Sequence, residues 1–225
     1  MTYKAVLLDF YGTLVVGDES ILHDITWQVA AASPLRPTQA QVMQRWWELM
    51  SRMCHAAYGR SFRLQREIEL DSLRTVIEEM RSNLDAQVLV RTIFNNWQSP
   101  QAYRDAISFL QHLQLPVCVV SNIDEADLQS AIAAQNWELP FAVTSEACRA
   151  YKPRPEMFAT ALRRLRLEPC DVLHVGDSAS SDVAGAQALS IDVAWINRHN
   201  RPAPLPAPTY AVSDLQKLTV VLEQT

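Results

Sequence analysis

Lysine is almost absent from most of this sequence. The 20 basic residues include only Lys4, Lys152 and Lys217, so the other 17 are arginines. No lysine stands between positions 5 and 151, which excludes a lysine-based mechanism such as Schiff-base formation in that segment. Lysine chemistry is therefore confined to Lys152 and to the ends of the chain.

Other features are missing as well. The formal net charge is −5, which gives no support for a surface that binds nucleic acid or anionic membranes. No apolar run approaches the ~18 residues of a membrane span, and the N-terminus lacks a signal-peptide pattern. The four cysteines form no CxxC pair, which is typical of reduced structural thiols. We therefore expect a cytoplasmic globular protein.

Two regions of different pattern divide the 225 residues. Helical and strand-like segments alternate from Tyr103 onward, which predicts a parallel sheet covered by helices. The predicted strands are 5–8, 116–120, 141–144, 171–175, 191–196 and 209–212, and the helices are 103–113, 125–135, 155–165, 181–189 and a last one from Ser213. This α/β core comprises residues 1–15 and 101–225.

The segment from 16 to 100 has no strand-like run and shows helical periodicity throughout. The predicted helices are 21–32, 38–55, 64–80 and 86–97. A helical block of this kind, inserted after the first strand of an α/β domain, indicates an all-helical cap.

Polar residues follow the predicted strands at the point where each strand ends. They are Asp9, the pair Ser121 and Asn122, Lys152, and the run from Gly176 and Asp177 to Asp182. The carboxyl ends of parallel strands meet at one edge of a sheet, where ligands bind. We therefore expect these residues to form one site.

The segments DFYGTLV, VVSN, YKP and HVGDSASSDVAGA carry these residues. In order and spacing they resemble the four motifs of the haloacid dehalogenase-like (HAD) hydrolase superfamily. The resemblance implies a Rossmann-like parallel sheet core with an inserted helical cap, an aspartate nucleophile and usually Mg²⁺.

The resemblance implies a role for each motif residue. Asp9 is the expected nucleophile, and a carboxylate can serve as one when the charge it faces is neutralised. Thr13 offers donors to the transferring group or closes a turn, and Ser121 donates to a substrate oxygen. Asn122 contacts substrate or holds its loop, while Lys152 balances the charge of Asp9.

The fourth motif suggests a metal site. Asp9, Asp177 and Asp182 would form a three-carboxylate cluster of the hard oxygen ligands that Mg²⁺ prefers, with the backbone carbonyl of Tyr11 as a further ligand. Asp182 could instead serve only as an N-cap of the helix that follows it.

Tyr11 departs from the phosphatases of the superfamily, which have an aspartic acid at this position as the proton donor and base. A phenol with an ordinary pKa of about 10 makes a poor general base near neutrality. A phosphatase built this way should prefer substrates with good leaving groups, such as acyl or aryl phosphates.

Tyrosine at this position is a mark of the L-2-haloacid dehalogenase branch, in which the halide leaves without a proton. Arg45 resembles the cap arginine of those enzymes and could bind a substrate carboxylate, or could lie on a solvated helical face. However, those enzymes work without metal and have Ser and Asn where this chain has Asp177 and Ala179, and Phe158 replaces their motif tyrosine.

The sequence thus combines a dehalogenase-like first motif with a phosphatase-like fourth motif. We expect a Mg²⁺-dependent phosphatase that acts on a small phosphorylated molecule through an aspartyl-phosphate on Asp9. The alternatives are an L-2-haloacid dehalogenase and a non-catalytic member that binds phosphorylated ligands. A phosphonatase is excluded because such relatives use a cap lysine, and 16–100 has none.

Overall fold

The computed structural model describes residues 3–223. Six strands form one fully parallel sheet in the order β3-β2-β1-β4-β5-β6. They are β1 (Ala5–Leu8), β2 (Val117–Ser121), β3 (Phe141–Thr144), β4 (Val172–Gly176), β5 (Asp192–Ile196) and β6 (Tyr210–Val212). The Rossmann-like α/β class expected from the sequence is confirmed.

Four α-helices directly follow β1 along the chain. They are α1 (Glu19–Ala32), α2 (Gln39–Ala56), α3 (Gln65–Glu79) and α4 (Ala86–Gln98). We refer to residues 16–100 as the helical insertion and to the remaining described residues as the core. Helix α2 begins where expected because Thr38 and Gln41 form a capping box. Within the insertion, the buried Trp46 indole of α2 donates to Ser72 Oγ of α3 at 2.9 Å.

The core carries six more helices, α5 (Arg104–His112), α6 (Glu125–Ala134), α7 (Ser145–Cys148), α8 (Glu156–Leu165), α9 (Ala184–Gln187) and α10 (Leu215–Glu223). They cover both faces of the sheet, which is why β1 is fully buried. Val6 and Leu8 belong to a cluster that includes Phe109 of α5, whereas Leu7 packs on the opposite face in a cluster that includes Phe158 of α8.

One predicted helix differs in the structure. The segment expected to be helical from 181 to 189 begins as a π-helical turn, Ala179–Val183, and continues only as the short helix α9. The side chain of Asp182 explains the irregular start, because its Oδ2 accepts from the backbone N–H of Ser178 at 3.0 Å. The other oxygen of Asp182, Oδ1, contacts Lys152 Nζ and His174 Nε2 of β4.

The helical insertion leaves and rejoins the core through two adjacent segments. Val15 and Ala102 form an antiparallel bridge, and the Val16 N–H donates to the Gln101 carbonyl at 2.8 Å. The insertion therefore begins and ends beside the carboxyl end of β1, next to Asp9. Within residues 3–223, no helix combines the length and apolar character needed to cross a bilayer.

Candidate active site

Asp9 directly follows β1 and is 6% exposed. Its Oδ1 accepts from Lys152 Nζ at 2.7 Å and its Oδ2 from Thr13 Oγ1 at 3.1 Å. Gly12 makes the turn between Asp9 and Thr13 possible, because its φ of +84° is a conformation that side-chain-bearing residues rarely adopt. Both carboxylate oxygens are thus held by donors that flank the end of the strand.

Lys152 is buried beside Asp9, with only 2% of its side chain exposed. Its Nζ donates to Asp9 Oδ1 and Asp182 Oδ1, both at 2.7 Å, and to the Val120 carbonyl at 2.8 Å. Burial lowers the pKa of a lysine, but the two carboxylates outweigh it and the pKa of Lys152 is raised. It is therefore a fixed cation whose three protons are all used.

Asp182 is held by a histidine as well as by Lys152. Its Oδ1 lies 2.9 Å from His174 Nε2 of β4. Burial would raise the pKa of Asp182, but Lys152 and His174 outweigh it and hold that pKa well below its usual range. The carboxylate is ionised, and Asp182 is not the N-cap of α9, whose N-cap is Val183. Sequence reasoning missed His174, whose only signal is a polar residue within an otherwise apolar strand.

Asp177 completes a cluster of three carboxylates. One oxygen each of Asp9, Asp177 and Asp182 lie within 4.8 Å of one another. Burial raises the pKa of Asp177 to about 8, and the charges of Asp9 and Asp182 add to the effect. Burial likewise raises the pKa of Asp9 despite the contact with Lys152. Ionisation of all three carboxyl groups is therefore costly with Lys152 as their nearest cation.

Two glycines provide the space for this cluster. A Cβ on Gly12 would lie 2.7 Å from Asp177 Oδ1, and a Cβ on Gly176 would lie 2.3 Å from Asp182 Cγ. Three converging oxygens with room for further ligands fit the preference of Mg²⁺ for a few hard ligands. Asp9, Asp177 and Asp182 could therefore hold this ion, and the Tyr11 carbonyl stays a predicted fourth ligand.

The Tyr11 side chain points to the helical insertion. Its hydroxyl donates to the Trp97 carbonyl of α4 at 2.5 Å. Burial holds the pKa of Tyr11 well above its usual range. The phenol therefore stays protonated and tied to α4, which agrees with the expectation that it is no general base.

Ser121 is the last residue of β2 and Asn122 follows it, and both line the same cavity as Asp9. Ser121 is 2% exposed. The Asn122 amide pairs with the backbone of Lys152, accepting from its N–H at 2.7 Å and donating to its carbonyl at 3.2 Å. This pairing holds the loop that presents Lys152, whereas a substrate contact of Asn122 stays a prediction.

The structure does not bring Arg45 to this site. The guanidinium is bound by both oxygens of Glu79, at 2.6 and 2.7 Å, between α2 and α3. Arg45 lines neither cavity beside Lys152, so the side chain occupies the solvated helical face that the sequence left open. Trp47 of the same helix lines both cavities and is 61% exposed.

Two cavities meet at Lys152. The first, about 510 Å³, contains the three-carboxylate cluster and Ser121. The second, about 590 Å³, lies between α2 and the core, and its lining includes Met50, Tyr151 and Arg154. A small molecule could therefore place its reacting group at Asp9 and a larger, mostly apolar portion under the insertion.

Comparisons with known proteins show related chains. Residues 3–189 match the family model of the haloacid dehalogenase-like hydrolases. (S)-2-haloacid dehalogenase 4A of Burkholderia cepacia is 26% identical over 227 residues, which cover 96% of this chain and 94% of that protein.

Solved structures share the fold. The L-2-haloacid dehalogenase RSc1362 superposes with a TM-score of 0.81 at 20% identity, over 99% of this chain and all of the other. The magnesium-bound HAD hydrolase YfnB of Bacillus subtilis has a TM-score of 0.72 at 18% identity, over 99% of both chains. With the family match, these findings show that the chain belongs to the haloacid dehalogenase-like hydrolases.

Proposed function

We propose that this hydrolase acts on a small phosphorylated molecule and forms an aspartyl-phosphate on Asp9. The observation that carries the proposal is the convergence of Asp9, Asp177 and Asp182, with oxygens within 4.8 Å of one another. Three carboxylates this close repel one another and would repel an anionic substrate. A cation held among them removes both difficulties.

The residues around Asp9 prepare it for attack. Lys152 and Thr13 hold its two oxygens and fix the direction of the carboxylate. Ser121 lines the cavity, where its hydroxyl can donate to a phosphoryl oxygen. Covalent attachment to Asp9 divides the displacement into two easier steps.

Asp177 and Asp182 would hold Mg²⁺ together with Asp9. When bound, the ion would neutralise negative charge on the carboxylates and on the phosphoryl oxygens. The fixed contacts of Asp182 with Lys152 and His174 keep its carboxylate ionised and oriented for this task. We further propose that the helical insertion acts as a cap whose cavity accommodates the leaving group.

A second candidate is hydrolysis of a 2-haloacid. The relatives that match nearly the whole chain include (S)-2-haloacid dehalogenases, and relatedness favours this activity over a phosphatase. Tyr11 fits it, because halide leaves without a proton. Without metal, Asp177 with a pKa of about 8 is mostly protonated at pH 7, which would reduce its repulsion of a substrate carboxylate.

Two assays separate these candidates. Purified protein is given p-nitrophenyl phosphate or L-2-chloropropionate, each with Mg²⁺ and with EDTA, and release of nitrophenol or chloride is followed. Asp9→Asn removes the nucleophile, and Asp24→Asn on the exposed face of α1 is the matched control.

If the protein is a phosphatase, we expect it to release nitrophenol only with Mg²⁺ present and Asp9 intact. Chloride release that continues in EDTA and is lost in Asp9→Asn would contradict the phosphatase proposal and support the haloacid dehalogenase candidate. Binding of inorganic phosphate without turnover of either substrate or of an acyl phosphate would point to a non-catalytic member.

A further inference from the structure

Two carboxyl groups in the cavity of Asp9, those of Asp18 and Glu19, belong to none of the four motifs. Asp18 lies directly before α1 and lines the same cavity as Asp9. An aspartate at this position usually accepts from a backbone N–H of the first helical turn. Asp18 makes no such bond, so its side chain is not used to begin the helix.

A hydrogen-bonded chain connects Asp18 to Tyr11. The Trp97 indole Nε1 donates to Asp18 Oδ2 at 3.2 Å, and the Trp97 carbonyl accepts from the Tyr11 hydroxyl. Trp97 is 5% exposed, so both contacts are fixed within the packed end of α4. Tyr11, which cannot act as the missing acid, thus anchors the residue that orients another carboxyl group in the cavity.

The surroundings of Asp18 favour its neutral form. Burial raises the pKa of Asp18, the Trp97 indole opposes this rise, and Glu19 adds to it. The other titratable or charged groups that face it or share its cavity are Tyr11, Glu69, Asp9, Asp177, Asp182, Lys152 and Arg201. A carboxyl group that titrates closer to neutrality is better suited to proton transfer in both directions.

We propose that Asp18 is the general acid and base of this enzyme, in the role that its first motif lacks. The inference rests on the proposed function. In the first step, an Asp9 oxygen bonds to phosphorus while the bond from phosphorus to the leaving oxygen breaks. The electron pair stays on that oxygen, which takes the proton of the Asp18 carboxylic acid.

The second step restores both groups. A water oxygen bonds to phosphorus, and one of its protons passes to the Asp18 carboxylate. The bond between phosphorus and the Asp9 oxygen breaks, and its electron pair returns to the Asp9 carboxylate. Inorganic phosphate leaves, and Asp18 is again protonated for the next substrate.

Asp18→Asn tests this role through the dependence of rate on the leaving group. An alkyl phosphate needs a proton on its leaving oxygen, whereas p-nitrophenolate leaves readily without one. We expect Asp18→Asn to lower kcat for ethyl phosphate by about 10²–10⁴-fold and to lower the initial burst with p-nitrophenyl phosphate much less. We expect kcat of the wild type for ethyl phosphate to fall with rising pH as Asp18 loses its proton, and we expect Asp18→Asn to lack this decrease.

Glu19→Gln is the matched control, because it also removes one carboxylate from the cavity lining. Of these two variants, only Asp18→Asn should make the rate depend more steeply on the leaving group. Asp18→Glu, which keeps a carboxyl group, should have a higher kcat for ethyl phosphate than Asp18→Asn. Trp97→Phe, which removes the indole donor, should change the pH at which kcat for ethyl phosphate falls.

Two results would overturn the role of Asp18. One is an equal decrease, in Asp18→Asn, of kcat for ethyl phosphate and of the burst with p-nitrophenyl phosphate. The other is an equally steep dependence of rate on the leaving group in Glu19→Gln. A wild type that hydrolyses neither phosphate would instead refute the proposed function. Thermal unfolding of each variant shows whether it is folded like the wild type, so that a loss of activity through unfolding is distinguished from a loss of proton transfer.

Discussion

Asp177→Asn should stabilise the metal-free protein at neutral and alkaline pH. In the folded chain, the burial of Asp177 raises its pKa from 3.8 to about 8, and the neighbouring charges of Asp9 and Asp182 add to the rise. The amide has nearly the same shape and no charge to desolvate. The substitution therefore removes the repulsion that the cluster suffers without a cation.

The sign and size follow from the two pKa values. Below pH 4 Asp177 is protonated in both the folded and the unfolded chain, so it adds no pH dependence. Between pH 4 and 8 only the unfolded chain releases the proton, and the free energy of unfolding falls with rising pH. At about 1.4 kcal/mol for each pKa unit, this loss reaches about 5 kcal/mol near pH 8.

Urea unfolding in EDTA at pH 5, 6.5 and 8 measures this effect. The stability difference between Asp177→Asn and the wild type should grow across the series, whereas Glu138→Gln, an exposed carboxylate, should follow the wild type. Mg²⁺ at 100 times its Kd should raise the free energy of unfolding of the wild type at pH 8 by about 2.7 kcal/mol. If the free energies of unfolding of Asp177→Asn and the wild type changed in parallel with pH, the Asp177 carboxyl group would not have the raised pKa on which this prediction rests.

Three further substitutions have definite expected results. Lys152→Met leaves the Asp9 carboxylate buried without its cation and should cost about 3–5 kcal/mol in urea unfolding, with loss of turnover. Arg45→Ala should leave kcat and KM unchanged, and cost at most about 1 kcal/mol, because the solvent-exposed pair with Glu79 lies outside the site. Trp47→Ala should raise KM in steady-state assays without a matching fall in kcat, since its exposed ring lines both cavities.

The core of the fold was predictable because short apolar runs and strand-ending polar residues follow simple periodic rules. Asp9, Lys152 and Asp182 were expected to meet, and they do so through direct contacts of 2.7 Å. Parallel strands bring their carboxyl ends to one edge, so residues distant in sequence become neighbours without any detail of packing.

The parts that the sequence left open or missed depend on contacts between side chains distant in sequence. Arg45 was a candidate for the site because of its helix, but its partner Glu79 lies on a different helix and binds both arms of the guanidinium. In the sequence, Asp18 looks like an ordinary N-cap residue of α1. Only the structure shows that its side chain accepts from the Trp97 indole instead. No local pattern encodes which residue of one helix faces which residue of another.

The covalent state of Asp9 during turnover shows whether phosphoryl transfer passes through this residue. The protein is mixed with an acyl phosphate and Mg²⁺, quenched in acid, digested, and the peptide that contains Asp9 is weighed by mass spectrometry. We expect one phosphoryl group on Asp9, present with Mg²⁺, absent with EDTA, and absent in Asp9→Asn. Turnover of the acyl phosphate with no modified Asp9 peptide at any quench time would contradict it.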